Sequence, residues 1–214
     1  MLIAIDGPAG AGKSTVARHV AEALGFTYLD SGAMYRSVAL AAARSGRSPA
    51  EVAPLVHIGL GDRVTIDGDD VTEAIRTPEI SEAASQVAAD PAVRQAMIAE
   101  QRRIVSSGNW VAEGRDIGTK VAPEAAVKVF LTASSQERAR RRAAQTGADL
   151  ATVLAEQSVR DERDQTREHS PLAPAAGAVV LDSTGLGVDE IVSRILALVP
   201  RAHGSAPPRG RSRG

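Results

Sequence analysis

The sequence predicts an α/β fold with three layers (αβα), in which a five-stranded parallel sheet is covered by helices on both faces. Two observations carry this prediction. Short apolar runs alternate along the chain with longer segments whose apolar residues recur at helical spacing. The chain has 214 residues, of which 43% are hydrophobic, so one domain can bury a sizeable core.

The individual elements follow from these local patterns and from the residues that interrupt them. Strands are predicted at residues 2–5, 26–29, 110–113, 127–131 and 178–181. Helices are predicted at residues 14–24, 35–44, 79–89, 91–106, 134–145, 150–164 and 188–199. Gly25 and Gly46 end the first two helices. Ser134 and Glu137 form a capping box that begins the fifth helix.

Two segments depart from the alternating pattern. Between residues 54 and 72, an apolar run at 63–66 is followed by Asp67-Gly68, a dipeptide typical of tight hairpin turns, so a small antiparallel insert is expected. Residues 201–214 are basic and contain little apolar material. We expect this tail to be disordered and solvated rather than to contact RNA.

Composition argues against several classes of function. A formal net charge of −1 disfavours a broad nucleic-acid or membrane footprint, and no apolar run approaches the length of a membrane span. There are no cysteines, which rules out disulfides and thiolate metal sites and agrees with a cytoplasmic location. The four histidines lack metal-ligand spacing. We therefore expect a cytoplasmic protein without a stable nucleic-acid or membrane partner.

The most specific motif follows the first strand and fits the P-loop pattern. Its glycines let backbone N–H groups converge on phosphate oxygens at a helix N-terminus. Lys13 is expected to bridge the β- and γ-phosphates, and Ser14 to ligate Mg²⁺. A glycine-rich turn without a ligand is the weaker alternative. The predicted ATP-binding residues are Gly7, Pro8, Ala9, Gly10, Ala11, Gly12, Lys13, Ser14 and Thr15.

Among proteins with a P-loop, the sequence favours a small kinase. The base-reading Asn-Lys-x-Asp motif of GTPases is absent, and no ABC-type signature occurs. Residues 182–185 match a four-residue switch pattern, but they follow the last strand, so we attribute the match to chance.

A polar cluster follows the second predicted strand, at the edge where a doubly wound sheet opens its crevice. Arg36, beside Ser31 and Tyr35 at a helix start, suits a bound anion. Taken singly, Ser31 is also typical of a helix cap and Tyr35 of a core residue.

A second cluster follows the third predicted strand, at the same edge. Glu113 is expected to hold Mg²⁺ through a water molecule, and Arg115 and Asp116 are expected to face the crevice. The alternative is a surface turn with a salt bridge.

Arginines are concentrated on the two predicted helices that follow residue 134. Arg138, Arg140, Arg141 and Arg142 lie on the first of them, and residues 160–167 on the second carry alternating charges. A solvated, salt-bridged helix is the simpler interpretation of the second segment. A closing arm rich in arginine would instead supply the cations that a transferring phosphoryl group needs.

Together these motifs resemble the bacterial cytidylate kinases, a family of nucleoside monophosphate kinases. The resemblance covers about residues 1–200 and is carried by residues 5–13, 30–36, 73–77, 83–88, 114–119, 160–164 and 181–184. It implies one P-loop kinase domain with an acceptor-binding subdomain at about 31–93 and a mobile lid at about 138–168. It also implies a monomer that transfers a phosphoryl group from ATP, with Mg²⁺, to CMP or dCMP in pyrimidine nucleotide metabolism.

The resemblance implies roles for individual residues by matching position. Ser85, Arg94 and Asp116 would meet the base, Asp164 the sugar, and the arginines the acceptor phosphate. Arg141 and Arg142 would lie in the lid near the donor phosphates. The acceptor-site residues are Ser31, Tyr35, Arg36, Ser85, Arg94, Arg115, Asp116, Arg160, Asp164 and Arg167. The catalytic residues are Lys13, Arg36, Arg115, Arg141, Arg142, Arg160 and Arg167.

One departure concerns the insert between residues 54 and 73, which is shorter than the three-stranded sheet usual in the family. Either a strand is lost or the turns are tighter. The nearest alternatives to a cytidylate kinase are P-loop kinases for UMP, AMP, dTMP or shikimate. A non-catalytic nucleotide-binding module is the alternative from a different class, and the presence of Lys13, Ser14 and the arginines argues against it.

Overall fold

The computed structural model describes residues 1–167 and 170–200. Its main sheet has five parallel strands in the spatial order β2-β6-β1-β7-β8, which confirms the predicted fold class. These strands are β1 (Leu2–Asp6), β2 (Thr27–Asp30), β6 (Trp110–Gly114), β7 (Val127–Thr132) and β8 (Val179–Asp182). Since all five strands run the same way, their carboxyl ends share one edge of the sheet.

Helices cover both faces of this sheet. They are α1 (Lys13–Leu24), α2 (Ser31–Ser45), α3 (Pro49–Val52), α4 (Pro78–Val87), α5 (Pro91–Val105), α6 (Ser135–Thr146), α7 (Leu150–Thr166) and α8 (Val188–Leu196). None of the helices in the described ranges is long and apolar enough to cross a membrane.

Alternate side chains of the central strand β1 pack into two separate hydrophobic cores, one on each face of the sheet. Ile3 and Ile5 pack with buried residues of α1 and α8, including Val16 and Ile195. Ala4 packs on the opposite face with Met34 of α2 and with residues of α4 and α5. The strand is therefore apolar from Leu2 to Ile5, as a sheet covered on both faces requires.

The second helix begins four residues earlier than predicted. Asp30 caps α2, because its carboxylate accepts the N–H of Ala33 at 2.8 Å. The sequence alone did not separate this cap from the adjacent Ser31, which lies inside the helix.

The capping box predicted before α6 is only half present. The Ser134 hydroxyl accepts the N–H of Glu137 at 3.2 Å. The Glu137 carboxylate pairs with Arg140 and Arg141 and does not return to the cap, so the N–H of Ser134 donates instead to the Thr184 hydroxyl at 2.9 Å. The two arginines compete with the cap for the carboxylate because they lie three and four residues further along the same helix.

The insert keeps three short antiparallel strands, β3 (Ile58–Leu60), β4 (Val64–Ile66) and β5 (Asp69–Asp70). Asp67 and Gly68, with φ angles of 52° and 95°, form the predicted tight turn between β4 and β5. The shortened sequence has therefore tightened this sheet, and the loss of a strand is excluded.

Three local elements were not predicted. Helix α3 begins at a capping box of Ser48 and Glu51, a 3-10 turn covers Ala74–Arg76, and a π-helical turn covers Ile117–Val121. The predicted disordered tail at 201–214 lies outside the described residues, as does position 168 at the end of the predicted lid.

Candidate active site

The P-loop connects β1 to α1 at the carboxyl edge of the sheet. Gly7 has a φ of 151°, and a Cβ at this position would lie 1.9 Å from the carbonyl oxygen of Leu131. Only glycine therefore fits at the start of the loop. The loop ends at Gly12, which has a left-handed conformation (φ 92°) and leaves the first amides of α1 without a side-chain cap. Such free amides form an anion site at a helix N-terminus.

Lys13 is buried beneath this loop, and its ammonium donates to the carbonyl oxygen of Pro8 at 2.8 Å. Burial, reinforced by the charge of Arg115, lowers the pKa of Lys13 to about 7. Bound phosphates would favour the charged ammonium, so the site is suited to a polyanion.

Glu113 is the next-to-last residue of strand β6, and its side chain is buried beside the P-loop. It accepts a short hydrogen bond from the Tyr28 hydroxyl. Burial, and secondarily the charge of Asp30, raises the pKa of Glu113, while Lys13 and the nearby Ser14 hydroxyl oppose the rise. The Ser14 hydroxyl and the Glu113 carboxylate are hard oxygen ligands of the kind that Mg²⁺ prefers.

The described residues offer few side-chain ligands for a metal ion in the absence of a nucleotide. They contain no group of three or more His, Cys, Asp or Glu side chains that could hold an ion by itself. This fits Mg²⁺, which typically uses one or two protein ligands together with substrate phosphates and waters.

A buried ion pair lies near the same edge of the sheet, because Asp116 follows the end of β6 by two residues. Arg94 of α5 donates one Nη to the Asp116 carboxylate and the other to the carbonyl oxygen of Ala88 at 3.0 Å. The Arg94 and Asp116 side chains are 4% and 6% exposed. The ring of Tyr35 lies 5.8 Å from the Arg94 guanidinium. In this pair a cationic donor and an anionic acceptor are held together out of contact with water.

The carboxylate of Asp164, on α7, binds two of the predicted arginines. It accepts Nε of Arg115 at 2.8 Å and a short hydrogen bond from Arg167. Although burial acts to raise the pKa of Asp164, the two guanidinium groups hold it below its usual value. Arg36 of α2 donates to the carboxylate of Asp30, the last residue of β2, at 3.0 Å.

The other predicted arginine of α7 is held differently. Arg160 pairs with Glu82 of α4 at 3.4 Å, and its neighbour Arg163 donates to Glu82 at 3.0 Å and to the Ser85 hydroxyl at 2.8 Å. These contacts connect the predicted lid to the predicted acceptor-binding subdomain. Helix α7 is salt-bridged, as the simpler interpretation held, but Arg160 and Arg163 pair with another helix.

Helix α6 contacts the P-loop directly. Arg141 donates to the Ser183 carbonyl oxygen at 2.7 Å and approaches the carbonyl oxygen of Ala11 at 3.4 Å. Arg142, the next residue, is half-buried. Residues 182–185, matched by chance to a switch motif, thus place Ser183 against Arg141 of α6.

Two side chains of this region make contacts that the sequence did not indicate. Arg138 is buried, forms two hydrogen bonds with the Asp161 carboxylate and donates to the carbonyl oxygen of Ala9 at 3.0 Å. Nothing in the sequence distinguishes it from the neighbouring arginines of α6. The Ser31 hydroxyl donates to the backbone oxygen of Glu113 at 2.6 Å, so it joins two strand ends and is not a helix cap.

The comparisons with known proteins agree with one another. A family model described as cytidylate kinase matches residues 3–201. The chain is 50% identical to a cytidylate kinase of Desulfitobacterium hafniense, covering 92% of this chain and 91% of the relative. It is 46% identical to a cytidylate kinase of Carboxydothermus hydrogenoformans, covering 94% and 98% of the two chains. An uncharacterized protein from Eubacterium ventriosum has a similar fold, with a TM-score of 0.56 at 14% identity and coverage of 92% and 96%.

Proposed function

The chain belongs to the cytidylate kinase family, whose reaction is phosphoryl transfer from ATP to CMP or dCMP, and we propose which of its residues carry out each part of that reaction. The observation that carries the proposal is the buried pair of Arg94 and Asp116, at the sheet edge that the P-loop also occupies. This supports a site in which the base is recognised by the ion pair and the donor phosphates are bound by the P-loop.

The donor binds at the P-loop, residues 7–15. Backbone amides at the start of α1 hold the phosphates, and Lys13 bridges the β- and γ-phosphates. Mg²⁺ would be held by Ser14 directly and by Glu113 through water. A metal ion held by these two residues would supply positive charge to the donor phosphates. The short hydrogen bond from Tyr28 keeps the Glu113 carboxylate in place for this role.

The acceptor base binds at the Arg94–Asp116 pair, with the Ser85 hydroxyl beside it. The Asp116 carboxylate accepts the N4 amino group of cytosine, and Arg94 donates to the ring acceptors. Uracil has an oxygen in place of that amino group. That oxygen would face the Asp116 carboxylate and leave buried polar groups unpaired, which commonly costs a few kcal/mol.

The acceptor phosphate is held by Arg36, Arg115 and Arg167, with Asp164 contacting the sugar. Because this phosphate is already ionised near neutral pH, no general base is required. Catalysis consists of alignment and charge stabilisation, to which Arg141, Arg142 and Arg160 contribute from the lid. Closure of the lid excludes water, which would otherwise accept the phosphoryl group.

The assay for this proposal is ADP release with Mg²⁺ and ATP in the presence of CMP, dCMP, UMP, AMP, dTMP or shikimate. We expect turnover with CMP and dCMP well ahead of the other acceptors. Equal kcat/KM for CMP and UMP would remove Asp116 from base reading, and no turnover with any acceptor would contradict the enzyme assignment. The cytoplasmic location, the monomeric state and the absence of a nucleic-acid partner stay predictions from the sequence.

A further inference from the structure

Asp6 is a buried carboxylate between the two halves of the site. It is the last residue of β1, so it directly precedes Gly7 of the P-loop, and it pairs with Gly114 of β6 in the sheet register. Its side chain points away from solvent, and the residue is only 4% exposed. Its two oxygens accept the backbone N–H groups of Ile117 at 2.8 Å and Gly118 at 2.7 Å.

These two amides begin the π-helical turn that directly follows Asp116. The first amides of any helical turn lack partners within the turn. Because Ile117 and Gly118 are buried, their N–H groups would stay unsatisfied without an acceptor from elsewhere. The Asp6 carboxylate is that acceptor, so it fixes the backbone immediately after Asp116, while Arg94 holds the Asp116 side chain.

A carboxylate suits this position better than any other side chain of its size. It offers an oxygen to each of the two amides, whereas asparagine offers one oxygen and one N–H₂ group that opposes the second amide. Burial raises the pKa of Asp6 to about 6, and the two backbone hydrogen bonds oppose the rise. Asp6 is therefore ionised near neutral pH and available to both amides.

Gly118 shows how little room this contact leaves. A Cβ at Gly118 would lie 3.3 Å from the Asp6 carboxylate, 3.3 Å from the Lys128 side chain and 3.2 Å from Cβ of Ala175. The turn is thus confined between Asp6 and two other elements, and it has no positive φ that would itself require glycine.

We infer that Asp6 is a positioning residue for acceptor-base selection. Its carboxylate fixes the turn that directly follows Asp116, and it thereby connects base recognition to the start of the P-loop. This inference rests on the proposed function, because it concerns the place where Asp116 meets the base. Asp6 acts through the backbone of Ile117 and Gly118 and touches no substrate. A loosened turn lets Asp116 shift, which weakens discrimination between an amino group and an oxygen at the same ring position.

The test compares kcat/KM for CMP and UMP in the full chain and in Asp6→Asn at neutral pH, with KM for ATP measured in parallel. We expect the CMP-to-UMP ratio to fall at least tenfold, with a raised KM for CMP and a KM for ATP within twofold of the original. Gly118→Ala, which retains the carboxylate but crowds the same turn, is expected to lower the ratio in the same direction. It serves as the readout if Asp6→Asn does not fold.

Two controls separate positioning from general destabilisation. Asp149→Asn changes a carboxylate that accepts a backbone N–H at the cap of α7, and Ile195→Ala removes a buried side chain from the opposite core. Both are expected to retain the original ratio. A ratio unchanged in Asp6→Asn and Gly118→Ala would overturn the inference, as would a ratio lowered equally by Ile195→Ala. An unmodified chain without preference for CMP would instead refute the proposed function itself.

Discussion

At the scale of single residues, the site depends on charged groups that the fold has removed from water. Lys13, Arg94, Glu113, Asp116 and Asp164 are all buried. A buried charge is tolerated only when it is paired and hydrogen-bonded. Here the partners are other site residues or backbone groups, so each charge is held at a fixed position before any substrate binds. That arrangement suits a reaction in which alignment and charge stabilisation replace acid–base chemistry.

The buried carboxylate of Asp6 gives a prediction for stability against pH. Its pKa is raised from 3.8 to about 6 by burial, so the neutral form is favoured in the folded state. The stability that this group contributes is fully present below pH 3.8 and is lost as the pH rises through about 6. A rise of that size corresponds to about 3 kcal/mol.

We therefore expect the unfolding free energy of the original chain, relative to Asp6→Asn, to decrease by up to that amount between pH 4 and pH 7. Urea denaturation across this range measures the difference, and Asn provides the reference because it does not titrate. A difference that is constant over the whole range would show that the Asp6 carboxyl titrates normally.

At the scale of elements, strands and long helices could be predicted from the sequence, and most boundaries agree within one to three residues. Apolar runs identify strands that are buried on both faces, and glycines identify helix ends. What the sequence could not supply depends on contacts between distant segments. The π-helical turn Ile117–Val121 begins where its first amides meet Asp6, more than a hundred residues earlier in the chain.

Helix α6 gives a prediction at the same scale, because its arginines have very different surroundings. Arg138 is 7% exposed and bonds to Asp161 and to the P-loop, whereas Arg140 is 68% exposed and pairs with Glu137 of its own helix. Removing one partner of a buried pair leaves an uncompensated charge.

We expect Arg138→Ala to lower the unfolding free energy by about 3 kcal/mol and to raise KM for ATP. Arg140→Ala should change neither quantity measurably, since exposed pairs contribute little. Chemical denaturation and ATP titrations of the two variants give the comparison. Equal effects of the two substitutions would show that the contact of Arg138 with the P-loop does not stabilise it.

At the scale of the whole molecule, helices α4 and α7 are joined by side-chain contacts, and these helices lie in the predicted acceptor-binding subdomain and the predicted lid. Glu82 of α4 engages Arg160 and Arg163 of α7, and Arg163 also bonds to Ser85. Arg160 and Ser85 are among the acceptor residues implied by family resemblance. The sequence resemblance named these residues but not Glu82, because an ion pair between two distant helices leaves no local pattern.

This bridge predicts a competition between Glu82 and the acceptor nucleotide for Arg160. Glu82→Gln should weaken the bridge and lower KM for CMP about two- to fivefold, the range expected for a partly exposed ion pair. Glu79→Gln, one turn earlier on the same helix and exposed, is the matched control. Steady-state kinetics at low ionic strength would reveal the difference, and a higher KM for Glu82→Gln would show that the bridge assists binding instead.

Selection of the acceptor base by the buried carboxylate of Asp116 is tested most directly by the ratio of kcat/KM for CMP and UMP in the original chain and in Asp116→Asn. We expect a strong CMP preference in the original chain. Asn retains the size of the side chain but adds an N–H₂ donor that matches the uracil oxygen, so the ratio should fall by about a hundredfold. An unchanged ratio in a folded Asp116→Asn variant would contradict the claim.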